Sequence, residues 1–494
     1  MNSPVFTSAQ MRDAENAAFA RGISAEALMD QAGAGIAQAV QRFFPRPGYC
    51  LIFSGKGNNG GDALVAAARL KRAGWHTDVH LSFPEPQCSD LLRKKITEFR
   101  DTPPVAAGVS AANTSGIPAA TVILDGLLGV GSKPPLRDPI LAACREINRL
   151  RQEQGAYVFA VDQPTGLDGD SGENDRDCVI ADFTVTIAAT KRGLIADNAT
   201  NFVGRLDVVP LSDLSLETAD ETVACTASLH GLLPRRPFDA HKNQFGRVGI
   251  VAGSRGFAGA ATMCAWGALR GGAGLVELFV PENIYEIVTA AAPYESMVKP
   301  MKSYRDLIEE KIDVWGIGPG LGKDNATEVI ELIQRAENPM VVDADALNAV
   351  STNVSVLKNC CGPRLLTPHP GEMKRLAGDQ KISRGELARK FTAEFPVTLL
   401  LKGSRTVVAE SGKRISYNAT GNPGMATGGM GDVLTGVCAA LLAQNLSPFD
   451  AARVGAWTCG RAAEIAIFNN GESQESLLPR DVLTNLGRAL GELR

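Results

Sequence analysis

Cys50 to Leu70 reads CLIFSGKGNNGGDALVAAARL: five mostly apolar residues, a loop of glycines and asparagines, then small and apolar residues at helical spacing from Asp62 onward. A short buried run, a turn and a helix make half of a βαβ unit. The runs TDVHLSF, TVILDGLLG, YVFAVD and DFTVTI continue the alternation, so this half of the chain is expected to form a parallel sheet between helices, a three-layer α/β sandwich. Upstream, Ser8 to Phe44 reads as one or two helices, with Ser24 placed to cap the stripe SAEALMDQAGAGIAQAVQRF. The alternation restarts after Gly246 with GRVGIVAGS, the small-residue helix GAATMCAWGALRGGAG, LVELFV, IDVWGIG, PMVVDADAL, RLLTPH and VTLLLKGS. Leu211 to Phe245 lies between the two series without periodicity and with proline and clustered charge, which predicts a linker joining domains 1–215 and 225–494.

The bulk figures narrow the class. With 494 residues, 45% apolar and 21% charged, the chain is long enough for two cores and has no disordered composition. A formal charge of −4 gives no reason to expect nucleic acid or a membrane surface as partner. Ten cysteines occur without a C-x-x-C, so neither a zinc site nor a disulfide framework is visible, and a cytoplasmic location is expected. No apolar run approaches membrane-spanning length, and the first twenty residues carry acids where a signal core would be apolar.

Chemistry should gather at the carboxyl ends of the strands, where open parallel sheets bind ligands. There the first series places the glycine loop, Asp125 in ILDGLLGVGSKPP and Asp162 in VDQPTGLDGD. Backbone amides of such a loop hold phosphate and asparagine oxygens hold a cation; the competing reading makes these residues turn formers and loop caps. Lys191, in ATKRGL, is either a partner of phosphate or of that acid, or an ordinary surface lysine.

In combination these stretches resemble the NAD(P)H-hydrate epimerase family, marked by a GNNGGDG loop, D-x-L-L-G and V-D-x-P-S-G, over roughly Phe6 to Leu211. The resemblance implies that Asn58, Asn59, Gly60, Gly61 and Asp62 contact a hydrated nicotinamide nucleotide, NADHX or NADPHX. It further implies that Gly129, Val130, Gly131, Ser132, Lys133, Pro134 and Pro135 hold its phosphate, that Asn59, Asp125 and Thr165 bind potassium, and that Asp162 sits at the reacting ring. The sequence departs from the pattern at Ala63, for glycine, and at Thr165, for serine; threonine keeps the oxygen ligand. Asp162 would protonate the leaving hydroxyl and activate the returning water if burial raises its pKa toward neutrality.

In the second series, Asn418 to Gly436 reads NATGNPGMATGGMGDVLTG, glycines around one acid at the mouth of an apolar helix. This suits an anion at unpaired backbone amides, with Asp432 as a base; the plainer alternative makes Asp432 a helix cap. With GSRGFAGAA, GIGPGLG, DADALN, TPHPGE and KGSRT, the stretch resembles the ADP/ATP-dependent NAD(P)H-hydrate dehydratases, a branch of the ribokinase-like fold, over roughly Leu229 to Arg494. The resemblance implies that Ala260, Gly320, His369 and catalytic Asp432 face the hydrate. Lys402, Gly403, Ser404, Arg405, Thr406 and Gly431 would hold the adenine nucleotide, with ADP favoured and Mg2+ accompanying it. His369 between two prolines and Lys402 after an apolar run each retain a structural reading, as a turn residue and an exposed hairpin residue, and Asp343 and Asp345 read equally as metal-linked acids or as caps of ALNAV.

The expected fold is therefore two three-layer α/β domains, Rossmann-like then ribokinase-like. The expected function is epimerisation of R- and S-NAD(P)HX and ADP-dependent dehydration of the S form, by a homo-oligomer as in relatives. A sugar or vitamin kinase with a regulatory first domain is the alternative, and a dimerising scaffold is a third; the set Asn59, Asp125 and Asp162 argues against the scaffold.

Overall fold

The computed structural model describes residues 3–103 and 121–494, and the chain divides into two compact units, one ending at Val223 and the other running Ala224–Arg494. The first unit has strands β1 (Ser3–Phe6), β2 (Tyr49–Ser54), β3 (His76–Leu81), β4 (Thr121–Gly126), β5 (Tyr157–Val161), β6 (Phe183–Ile187), β7 (Thr190–Lys191), β8 (Arg205–Val209) and β9 (Glu221–Ala224). Six of them form a parallel sheet in the order β3-β2-β4-β5-β6-β8. β4 and β5 are buried on both faces, which is why TVILDG and YVFAV read as continuous apolar runs. Ring packing fixes one layer on this sheet: Phe159 and Phe183 stack at 4.4 Å, and Phe43, closing the helix Ala25–Phe43, lies 4.4 Å from Phe183. Ser24 caps that helix as expected, accepting from the Ala27 amide, and a second helix, Ser8–Ala20, precedes it.

Two expectations change. The helix after β2 begins at Asn58, not Asp62, so its glycines lie inside the first turn. They are there for close approach: a β-carbon on Gly60 would stand 2.4 Å from Ser54 Oγ, and one on Gly61 2.5 Å from the Met29 side chain. The expected linker also contains structure, the helix Thr226–Leu229 and β9, which pairs antiparallel with β1. Four residues are too few to display alternation, and the partner strand lies some 200 positions away.

The second unit carries β10 (Arg247–Val251), β11 (Leu275–Pro281), β12 (Met297–Met301), β13 (Val314–Ile317), β14 (Met340–Val342), β15 (Arg364–Leu366), β16 (Thr398–Leu401), β17 (Val407–Ala409) and β18 (Ile415–Asn418). Their order is β12-β11-β10-β13-β14-β15-β16-β17-β18, parallel up to β16 and antiparallel beyond it, the ribokinase-like α/β arrangement. The small-residue helix Ala258–Arg270 packs against the helix Met430–Ala443 with backbones nearly touching: a β-carbon on Gly436 would lie 2.1 Å from the Cys264 carbonyl oxygen. That contact fixes the helix whose first turn holds Asp432.

Candidate active sites

In the first unit the carboxyl ends of β2, β4 and β5 deliver the helix start at Asn58, Asp125 and Asp162 to one end of the sheet. Asp162 follows β5 directly, in the left-handed region at φ 68°, a conformation costly to a residue with a β-carbon and usually held where a side chain must be aimed. Its buried carboxylate accepts from Lys191 Nζ, from the Ile187 amide at 3.0 Å and from Thr186 Oγ1 at 3.3 Å. Lys191 is no surface lysine: its side chain is 1% exposed, and Nζ also donates to Thr186 Oγ1 at 3.2 Å and the Ile187 carbonyl at 3.1 Å. Asp162 therefore faces an ammonium, the partner that the sequence offered for this acid as one of two readings of Lys191.

The carboxyl that burial drives up is Asp62. Burial raises its pKa well above the usual range, and the charges of Asp162 and Glu15 push the same way against Lys191. Among the described residues, no group hydrogen-bonds to it. Glu15, from the helix Ser8–Ala20, is also raised by burial, with Lys191 and Asp162 acting on it in opposite directions. Two neighbouring carboxyls in such unlike surroundings are equipped to give and to take a proton.

Asp125 is fully buried; Oδ2 accepts from the Thr165 amide at 2.8 Å, and Oδ1 from Thr165 Oγ1 at 2.7 Å and the Leu127 amide at 3.3 Å. Burial raises its pKa to about 6 despite those bonds, and no basic side chain among the described residues compensates it. Asn59 is buried nearby, its Oδ1 3.2 Å from where a β-carbon of Gly129 would stand. One uncompensated carboxylate with amide and hydroxyl oxygens is a hard donor set suited to a monovalent cation. The loop Gly129 to Pro135 is tied to this site by Gln163, whose Nε2 donates to the Gly129 carbonyl and Ser132 Oγ, both at 3.3 Å, and to the Leu167 carbonyl at 3.0 Å. Ala63 needs no wider loop: its methyl fills the space where Gly126 lacks a side chain.

In the second unit Asp432 is the third residue of the helix Met430–Ala443, after Gly429 at φ 94°. It does not cap that helix; its carboxyl makes no side-chain cap bond. Burial, reinforced by the charge of Asp343 and opposed by Lys402, lifts its pKa to about 6. Asp343, just past β14, is buried and likewise no cap: Oδ1 accepts from Lys402 Nζ at 2.7 Å and Oδ2 from Thr435 Oγ1 at 2.9 Å. Lys402 follows β16 and is largely buried; desolvation works against its charge, but Asp343 more than offsets it and its pKa is raised. A β-carbon on Gly431 would stand 3.4 Å from Lys402 Nζ and 3.5 Å from Asp343 Oδ2, so the glycine leaves the approach to that pair open.

Gly320 and Ala260 meet: a β-carbon on Gly320 would lie 3.0 Å from that of Ala260 and 2.9 Å from that of Phe257. His369 caps the helix Pro370–Ala377, Nδ1 accepting from the Gly371 amide at 3.0 Å, while half its side chain remains exposed. Of the KGSRT residues, Arg405 is buried, whereas Gly403 and Ser404 are exposed beside half-buried Thr406. Of the two readings of Lys191, the structure has it partner Asp162, whereas Glu15, Gln163 and Thr435 were not singled out, because only the fold brings them to the sites.

Residues 25–193 match the family described as YjeF-related protein N-terminus, and residues 248–485 match that described as NAD(P)H-hydrate dehydratase. A bifunctional NAD(P)H-hydrate repair enzyme of Moorella thermoacetica is 37% identical, the similarity covering 94% of this chain and 92% of that protein. The chain belongs to the bifunctional NAD(P)H-hydrate repair enzymes. Further repair enzymes of this name are similar at full length, that of Coxiella burnetii at 34% identity over 98% of both chains and that of Escherichia coli at 33% over 97% of this chain and 92% of its own. Among solved structures, an ADP/ATP-dependent NAD(P)H-hydrate dehydratase from Bacillus subtilis, co-crystallized with ATP/Mg2+, is 28% identical, with 55% of this chain and 98% of that one covered at a TM-score of 0.49. As in its relatives, the repair-enzyme similarity runs through both units. No helix among the described residues is long and apolar enough to cross a membrane, and none of the ten cysteines is disulfide-bonded.

Proposed function

We propose that the first unit interconverts the R and S epimers of NADHX and NADPHX, and that the second dehydrates the S epimer with ADP, yielding NAD(P)H, AMP and phosphate. The observation that carries this reading is the similarity to bifunctional repair enzymes across 94% of the chain, spanning both acid sites.

In the epimerase unit the reacting carbon carries the hydroxyl and the ring nitrogen. Asp62, whose pKa burial raises, gives its proton to the departing hydroxyl as the nitrogen lone pair pushes it out as water. Asp162, its charge balanced by Lys191, takes a proton from the water that returns to the other face. Asn58 to Asp62 and the loop Gly129 to Pro135 bind the nucleotide. Asn59, Asp125 and Thr165 hold potassium, which supplies the positive charge that buried Asp125 lacks.

In the dehydratase unit the task is to turn a poor leaving group into a good one. Asp432 takes the hydroxyl proton as that oxygen attacks the terminal phosphoryl group of ADP, and AMP departs. Phosphate then leaves with the push of the ring nitrogen, a ring proton is lost, and the dihydronicotinamide is restored. Asp343 keeps Lys402 beside the developing charge, and Ala260, Gly320 and His369 face the hydrate. Lys402, Gly403, Ser404, Arg405, Thr406 and Gly431 bind the nucleotide, with Mg2+ carried on its phosphates. The enzyme acts in the cytoplasm, as an assembly of identical subunits.

The test is an assay of both hydrate epimers with ADP and with ATP. Recovery of NADH absorbance from the S epimer with ADP, and from the R epimer only through prior conversion to S, supports the reading. A phosphorylated product without NADH returns the chain to the small-molecule kinases.

A further inference from the structure

The similarity to the YjeF-related family begins at residue 25, after the helix Ser8–Ala20, yet this helix is built into the first active site. β1 pairs in parallel with β7, matching Val5 to Thr190 and Phe6 to Lys191, so the chain leaves the strand beside the lysine that holds Asp162. Thr7 then caps the helix in a full capping box, and the Ser8 amide donates to Asp170 Oδ1 at 2.6 Å, fastening the helix start to the loop that follows Asp162.

Two residues three apart on this helix, Arg12 and Glu15, share one face. Glu15 lies within the fields of Asp162 and Lys191. Arg12 lies against the loop Gly129 to Pro135, where a β-carbon on Gly131 would stand in ordinary contact, 3.4 Å from its Nη1; the φ of 94° at Gly131 is what favours glycine there. The Arg12 side chain is exposed and, among the described residues, hydrogen-bonds to no carboxylate. The other cation of this loop, Lys133, is 71% exposed with Nζ 3.7 Å from Asp168 Oδ2, so a carboxylate already balances it. A planar guanidinium that hydrogen-bonds to no carboxylate among the described residues and feels Glu15 only through its longer-range charge, beside a loop of backbone amides, matches a phosphate group.

We propose that Arg12 binds a phosphate oxyanion of the dinucleotide substrate, gripping it from the N-terminal helix against the loop Gly129 to Pro135. The assignment rests on the epimerase reading of this unit, because it takes the ligand to be a hydrated nicotinamide dinucleotide.

The full-length protein and its Arg12→Ala and Arg12→Lys variants are assayed for epimer exchange on NADHX and on NADPHX without adenine nucleotide, so that dehydration is idle. Arg12→Ala should raise KM on the order of 10- to 100-fold, the loss falling on KM more than on kcat. Arg12→Lys, which keeps the charge and loses the fork, should raise it less. A loss shared by both substrates assigns the contact to the pyrophosphate, and a loss confined to NADPHX assigns it to the 2′-phosphate. Parental KM for both substrates in both variants overturns the proposal, whatever happens to kcat. A parent protein that exchanges no epimers sinks the epimerase reading, and the assignment with it.

Discussion

The two acid sites are built from the same parts, an aspartate past a strand or at a helix mouth and a lysine from a neighbouring strand end, and they differ in where the lysine goes. In the first unit Lys191 engages Asp162 directly, and a different carboxyl, Asp62, is left without hydrogen bonds among the described residues and pushed up by burial. In the second, Asp343 takes the lysine, and Asp432 is left free with its pKa near 6. One arrangement keeps an acid and a base side by side, as an exchange of hydroxide for water requires. The other keeps a single base poised near neutrality and a cation ready for phosphoryl charge. On the proposed reading, the choice of partner for one ammonium separates the two chemistries.

The comparison is broken most severely at Lys191. Lys191→Met leaves the buried Asp162 carboxyl without its ammonium, held only by the Ile187 amide and Thr186, and should cost the first unit ~3–5 kcal/mol of stability in a denaturant titration. A cost below ~1 kcal/mol would mean that the ion pair does not hold Asp162. Asp162→Asn keeps the shape but cannot exchange a proton, so epimer exchange followed by NMR should slow by on the order of 10² or more, while S-hydrate is still consumed at the parental rate. Parental exchange removes Asp162 from the mechanism. Lys402→Met should be milder than Lys191→Met, at ~1–3 kcal/mol, because the Lys402 side chain is 21% exposed against 1% for Lys191, so water can reach the site. Equal losses would erase the contrast between the two lysines.

The raised pKa of Asp432 gives the contrast a pH signature. As a base it works ionised, so below its pKa of about 6 the dehydration kcat/KM should fall about tenfold per pH unit, with a plateau above. A profile flat down to pH 4 would show that another group takes the proton. The smallest effect is expected at Thr165→Val, which removes one oxygen ligand and the hydroxyl bond to Asp125; it should raise the potassium concentration giving half-maximal exchange and leave dehydration alone.

The alternation of CLIFS, TVILDG and YVFAV with helical runs made the first sheet legible, because strands buried on both faces write their burial into contiguous residues. β12, with MVKPM half exposed, and the short strands β17 and β18 carry no such pattern and were not expected. At the sites, Asp125, Asp162 and Asp432 stood out as lone acids at strand ends or a helix mouth. Their partners did not. Lys191 was open between a surface lysine and a partner of phosphate or acid until Phe6 paired beside it across 185 positions and buried it, and Asp343 was open between a metal-linked acid and a cap until Lys402 and Thr435 met it. Partner choice is a property of register and packing, which local spacing does not encode.

The most direct test of the division of labour is Asp432→Asn in one preparation, with nucleotide affinity, S-hydrate turnover and epimer exchange all measured. Asparagine caps a helix as well as aspartate does but accepts no proton. Nucleotide should still bind, exchange should persist at the parental rate, and S-hydrate turnover should fall by on the order of 10² to 10⁴. Near-parental turnover with nucleotide bound would contradict the account, leaving Asp432 without a part in the chemistry.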